Sequence, residues 1–292
     1  MQIQKNRTLQ GKHNKPIVAD FFYSENSQPK PVIIFCHGYK GFKDWGAWNI
    51  MAKTFADAGF FFIKFNFSHN GGTVNQPIDF PDLEAFGNNN YTKELDDLES
   101  VIEWIFSKND FQSEIDLENI SLIGHSRAGG IVTIKSEEDN RISKVISLAG
   151  VCDFGKRTAT SGDLEQWEKD GVKYVQNGRT KQQMPHFFQF YEDFIKNEER
   201  LTIKRAVENL QIPYLIIHGD NDTSVSVEEA KKLHSWNKQS ALEIIENANH
   251  VFNTSHPWEK ATLSATLKKV TQTCIDFLNN VPKQYRILLS QE

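Results

Sequence analysis

Residues 120 to 130 read Ile-Ser-Leu-Ile-Gly-His-Ser-Arg-Ala-Gly-Gly, an apolar run that ends in small residues around a single serine. The spacing predicts a buried strand, a tight turn with Ser126 at its tip, and a helix starting directly behind it. That arrangement lifts a serine hydroxyl clear of its own backbone as a nucleophile for acyl transfer. Gly124, Ala128, Gly129 and Gly130 supply the small side chains needed where the helix passes close to the strand it has just left. The usual G-x-S-x-G pattern would put glycine at position 128, where this chain has Ala128.

A serine hydroxyl is a weak nucleophile until a base takes its proton, an acid holds that base in the right tautomer, and donors meet the oxyanion that forms. Candidates for each follow apolar runs, in the chain order Ser, Asp, His. After the run ending at Ile217 comes His218-Gly219-Asp220-Asn221-Asp222, with two possible acids. After the run ending at Ile245 comes Glu246-Asn247-Ala248-Asn249-His250, and His250 is preferred to His256 because it stands just past that strand. The oxyanion donors should be the backbone N–H of Arg127, next to the serine, and that of Tyr39, in the loop His37-Gly38-Tyr39-Lys40-Gly41. Glycines on both sides of Tyr39 let its amide turn inward, and His37 reads as a group that stabilises this loop. The Arg127 side chain could pair with a carboxylate of an inserted segment, contact substrate or point into water. Singly, each residue has a plain reading in turn chemistry or a satisfied polar contact; three together at three strand ends are harder to dismiss.

The elements that must position these groups are legible as alternation. Apolar runs at 31–36, 60–67, 120–123, 144–149, 214–217 and 242–245 suit strands covered on both faces. Amphipathic stretches at 47–58, 91–107, 129–136, 228–236 and 261–278 read as helices between them, giving a mostly parallel, doubly wound α/β sheet of about eight strands. Segments 3–9 and 15–23 could form an antiparallel entry hairpin. Two stretches break the rhythm: a long loop at 68–90, punctuated by Gly71-Gly72, Pro77, Pro81 and Asn88-Asn89-Asn90, and a segment at 153–211 that reads as an inserted helical cap. The core is then 1–152 together with 212–292. Within the insertion Phe187, Phe190 or Tyr191, and Phe194 recur at helical spacing, a stripe that would mainly fix a cap to its core.

At 292 residues with 39% hydrophobic side chains, 21 Phe and 6 Trp, the chain can bury a large aromatic core. A net charge of −5 with both signs interspersed argues against a nucleic-acid partner. No stretch approaches the roughly 20 apolar residues of a membrane span, and residues 1–7 lack the apolar region of a leader, so a cytoplasmic location is expected. Cys36, Cys152 and Cys274, each within an apolar segment, suit reduced thiols better than disulfides or metal ligands. No cofactor is required and no metal site is suggested.

The chain resembles the α/β-hydrolase superfamily, and within it the branch of dienelactone hydrolases and bacterial cinnamoyl and feruloyl esterases. The resemblance rests on Phe35-Cys36-His37-Gly38-Tyr39, the strand 62–67 with Asn70-Gly71-Gly72 after it, Gly124-His125-Ser126-Arg127, His218-Gly219-x-x-Asp222 and Asn249-His250. It implies Asp222 as the acid, four residues after the loop histidine, and leaves Asp220 as a turn-former. It also implies a serine hydrolase of small soluble esters. Dienelactone hydrolases use a cysteine nucleophile, whereas the turn here carries Ser126 and no cysteine stands near it in sequence, so enol-lactone cleavage is not implied. A peptidase or amidase of the prolyl-oligopeptidase-like type is an alternative, and a non-enzymatic binding protein of the same fold is another. Phe80, Phe86 and the aromatic residues of the insertion make an aromatic or medium-chain acyl group an expectation; the oligomeric state is open.

Overall fold

The computed structural model describes residues 1–25, 28–157 and 159–280. In chain order the elements are β1 (Gln2–Leu9), β2 (Ile17–Tyr23), β3 (Lys30–Cys36), α1 (Trp48–Asp57), β4 (Phe61–Asn66), α2 (Leu83–Gly87), α3 (Tyr91–Phe106), β5 (Ile115–His125), α4 (Arg127–Glu138) and β6 (Ile142–Leu148). There follow α5 (Leu164–Asp170), β7 (Val172–Gln176), β8 (Gln183–Phe187), α6 (Gln189–Lys196), α7 (Glu198–Leu201), α8 (Ile203–Asn209), β9 (Tyr214–Gly219), α9 (Val227–Trp236), β10 (Ala241–Ile245) and α10 (Ala265–Asn279).

Eight strands form one sheet in the order β1-β2-β4-β3-β5-β6-β9-β10. The pair β1 and β2 is the antiparallel entry hairpin, β2 also runs against β4, and every pairing from β4 to β10 is parallel. The continuous apolar runs have their reason here, since β2 and β4 are buried at every position. The sheet divides the interior into two apolar clusters. One face takes α1 and α10 against Phe35, Phe62 and Ile217. The other takes α3, α4, α8 and α9 against Ile34, Ile63 and Ile216.

Some boundaries differ from the sequence reading, for local reasons. The last helix begins at Ala265, where the Ser264 hydroxyl accepts the Leu267 N–H at 3.0 Å as an N-cap, so 261–264 stay outside it. The stretch 68–90 includes the short helix α2, capped by Asp82. Segment 153–211 holds α5 to α8, as helical spacing suggested, but also the antiparallel hairpin β7–β8. Phe187 therefore belongs to a strand, and the aromatic stripe crosses a strand-to-helix boundary. Phe190 and Phe194 are its buried members, packed on Tyr91. Phe80 and Phe86 are likewise buried, in a small cluster with Phe42 and Met184. Among the described residues no helix is long and apolar enough to cross a membrane.

Candidate active site

The turn between β5 and α4 is held in a strained conformation. Ser126 has φ 58° and ψ −120°, a region that costs a non-glycine residue on the order of 1–3 kcal/mol. Three backbone hydrogen bonds maintain it: the Ser126 N–H donates to Leu148 O at 2.9 Å, and the Ser126 carbonyl accepts from Gly129 at 2.9 Å and Val151 at 3.2 Å. The tight exit requires glycine at 124, where an added Cβ would stand 2.1 Å from the Ala128 carbonyl oxygen. Ala128 is tolerated because its methyl turns into the larger apolar cluster.

The tip of the turn meets the loops after β9 and β10. His250 Nδ1–H donates to Asp222 Oδ2 at 2.7 Å, which leaves Nε2 to accept the Ser126 hydroxyl at 2.9 Å. Asp222 Oδ1 accepts the Ser224 and Val225 amides at 2.8 and 2.9 Å. Burial works against the Asp222 charge, but hydrogen bonds from His218 and His250 prevail and hold the carboxyl well below the usual carboxylate range. His218, fully buried, shares its Nε2–H between Val225 O at 2.8 Å and Asp222 Oδ2 at 3.2 Å. The alternatives lie elsewhere. Asp220 is exposed in the turn after β9, and His256 accepts the Gly46 N–H at 2.9 Å.

A second histidine steadies the first. His125 Nε2–H donates to the His250 carbonyl at 2.8 Å, and burial pushes its pKa down to about 3, so it remains neutral. His37 stabilises its own loop, with Nδ1–H on Gly38 O at 2.9 Å and a pKa lowered by burial to about 4. This loop lies directly on the serine: a Cβ added to Gly38 would meet Ser126 Cβ at 2.8 Å. The turn and loop hydrogen bonds of the described residues engage neither the Tyr39 nor the Arg127 amide, and both residues line the same cleft as Ser126. Cys36, remote in sequence, pairs in register with Gly124 but is fully buried in the apolar core, and burial raises its thiol far above the ordinary range.

Two lobes open around Ser126. One, of about 340 Å³, is lined by Tyr39, Lys40, Arg127, Arg157, Val225 and His250 among others. The other, of about 170 Å³, runs past Trp45, Trp48 and Val251. The Arg127 side chain neither points into water nor pairs with a carboxylate of segment 153–211: it is buried, pairs at 3.3 Å with Glu94 of α3, and lines the larger lobe. Its guanidinium stacks on Tyr39, with the ring centroid 4.3 Å away, and on Tyr91 and Phe190. Tyr39 Oη in turn lies 2.9 Å from His186 Nε2 of β8. Glu94 and His186 escaped the sequence reading. Glu94 had left a signal, a carboxylate at helical spacing with the apolar Tyr91, Leu98 and Val101. Among the described residues no group of three or more His, Cys, Asp or Glu side chains is placed to hold a metal ion.

The sequence profile of the alpha/beta hydrolase fold family matches residues 31–198. No curated protein matches the chain. Among solved structures, Est1E of Butyrivibrio proteoclasticus with ferulic acid bound is 19% identical at a TM-score of 0.70, over 94% of this chain and 98% of that one. A dienelactone hydrolase from Anabaena variabilis is 15% identical at 0.61, over 97% and 100%. A puromycin-hydrolyzing peptidase of Mycobacterium tuberculosis is 14% identical at 0.61, over 95% of this chain and 38% of that one. At these identities the likeness is one of fold.

Proposed function

The chain belongs to the α/β-hydrolase family, and from that premise we propose that it is a serine hydrolase cleaving carboxylic esters of small soluble substrates. One observation carries this reading: the hydrogen-bonded run from Ser126 Oγ through His250 to Asp222, at 2.9 and 2.7 Å, on a strained turn that opens into a cleft. Ser126 Oγ attacks the ester carbonyl while its proton passes to His250 Nε2, and Asp222 fixes the tautomer and stabilises the imidazolium. The oxyanion meets the Tyr39 and Arg127 amides. Collapse breaks the bond to the alcohol, which leaves with the proton from His250, and Ser126 holds the acyl group. Water, deprotonated by the same histidine, then attacks the acyl-enzyme and releases the carboxylic acid.

We read 153–211 as a cap, because Arg157 and Ala159 line the cleft and His186 reaches Tyr39. No cofactor enters this chemistry. The partner is the ester itself, with neither nucleic acid nor membrane, and three buried free thiols favour a cytoplasmic setting. The test is a series of 4-nitrophenyl esters of increasing acyl length, with an aminoacyl 4-nitroanilide alongside and Ser126→Ala as control. Ester turnover that vanishes in Ser126→Ala and far exceeds anilide turnover is the expected result. Comparable anilide turnover would favour a peptidase or amidase, and activity surviving in Ser126→Ala would overturn the proposal.

A further inference from the structure

The charged side chains that line the larger lobe are of one sign. Among its described lining residues are Lys40, Arg127 and Arg157 and no carboxylate, in a chain whose net charge is −5. Two of these cations are neutralised where they stand, Arg127 by Glu94 at 3.3 Å and Arg157 by Glu229. Lys40 is not. It is half-buried and lines both lobes around Ser126. No ion pair or hydrogen bond among the described residues engages its ammonium, which stands 5.0 Å from the Tyr39 ring centroid. Its backbone is in the left-handed region at φ 53°, inside a turn closed by the Gly41 N–H on Gly38 O at 3.0 Å. Glycine would fill that position without strain. The chain instead carries a long cation there, in the lining of the cleft, where partial removal from water strengthens any pairing it makes.

We propose that Lys40 is a specificity residue that recognises a free carboxylate carried by the substrate, so that the preferred esters are half-esters of dicarboxylic acids and similar acid-bearing esters. The chemistry rests on the esterase reading of Ser126; the binding does not. Lys40 Nζ donates to the carboxylate, and the paired Arg127 and Arg157 add to the local positive potential that draws an anion into the site.

The experiment compares kcat/KM for 4-nitrophenyl hemiadipate and for neutral 4-nitrophenyl hexanoate, spontaneous hydrolysis subtracted. The proteins are wild type, Lys40→Asn, whose side chain tolerates the left-handed backbone, and Lys40→Arg, which keeps the charge. The anionic-to-neutral ratio should fall about tenfold in Lys40→Asn. It should be largely regained in Lys40→Arg, and it should shrink with added salt in wild type. An unchanged ratio in Lys40→Asn, with ester turnover still dependent on Ser126, would overturn the proposal and leave the esterase reading standing. In parallel, calorimetry on Ser126→Ala compares monomethyl adipate with dimethyl adipate, independently of turnover. A preference for the monoacid that disappears with Lys40→Asn supports the recognition even if no ester is cleaved. Equal binding of the two probes would overturn it.

Discussion

Two clusters of polar side chains on the sheet differ in their surroundings. At the C-terminal ends of β5, β9 and β10, Ser126, Asp222 and His250 are joined by hydrogen bonds of 2.9 and 2.7 Å and face a cleft. Across β2 and β4, Asp20 and Lys64 are register partners and, with Lys43 and Asp44, form a four-membered ion network with contacts of 2.5 to 2.9 Å. Its side chains are fully buried except that of Asp44. Burial opposes the charge of Asp44, yet Lys64 and Lys43 hold its carboxyl well below the usual range. The second cluster is the more heavily charged, but its two acids and two bases satisfy one another and it does not border the cleft around Ser126. The first keeps a hydroxyl on a strained backbone and faces solvent-accessible space. A buried charge is therefore a poor marker of chemistry by itself; an accessible reactive atom held in place at an energetic cost is a better one. The two are connected through structure, since Lys43 and Asp44 belong to the loop that also carries Tyr39. That loop is further tied down by the Lys43 amide on Asn66 Oδ1 at 2.6 Å.

Substitutions should separate the two clusters cleanly. Ser126→Ala or His250→Ala should lower kcat on a 4-nitrophenyl ester by roughly six orders of magnitude while leaving the urea unfolding midpoint close to wild type. Steady-state kinetics beside equilibrium unfolding measures both, and a large stability loss in Ser126→Ala would erase the contrast. Asp20→Ala should do the reverse. It leaves the buried ammonium groups of Lys43 and Lys64 to share Asp44 and should cost about 3–5 kcal/mol in guanidinium unfolding, with any kinetic effect following from a loosened loop. A cost under about 1 kcal/mol would mean that the network is not structural.

Acid should separate them as well. An unfolded histidine binds a proton near pH 6.5, while burial holds His125 and His37 down to about 3 and about 4 in the fold. The stability these histidines provide is complete above about pH 6.5. It is lost as the pH falls toward those lower values, on the order of a few kcal/mol for each. Asp44 should add little to this decline above about pH 4.5: its carboxyl is held low in the fold, so its contribution fades only as the pH falls through the ordinary carboxylate range, at about 3.9, where the unfolded chain takes up the proton. Unfolding free energies between pH 7 and 4.5 should fall in wild type and fall less steeply in His37→Asn. A flat profile would contradict the neutral assignment of these two histidines.

Much of the first cluster was legible in the sequence and almost none of the second. Ser126, Asp222 and His250 each follow an apolar run, and their joint placement after three such runs pointed to chemistry, with the family resemblance choosing Asp222 over Asp220. The parallel sheet was legible in the same runs, since its strands are covered on both faces. Asp20 and Lys64 interrupt the apolar strands Ile17–Tyr23 and Phe61–Asn66, a sign that something must compensate them. Which residues do so depends on strand register and on a loop, and neither is encoded locally. The same holds for Arg127 with Glu94 and for Tyr39 with His186, pairs formed across distant elements. The hairpin β7–β8 was missed because its strands are only 5 residues each and β7 has no fully buried residue. Its Asn177-Gly178 dipeptide was the available turn signal.

The most direct measurement is covalent trapping of the nucleophile. Wild-type protein would be incubated with a 4-nitrophenyl alkylphosphonate, the released nitrophenolate counted, and the adduct located by peptide mass mapping. Stoichiometric release with the phosphonyl group on Ser126, and none in Ser126→Ala, is the expected result. An adduct on another residue, or no adduct while esters are still turned over, would contradict the assignment of Ser126 as the atom that attacks.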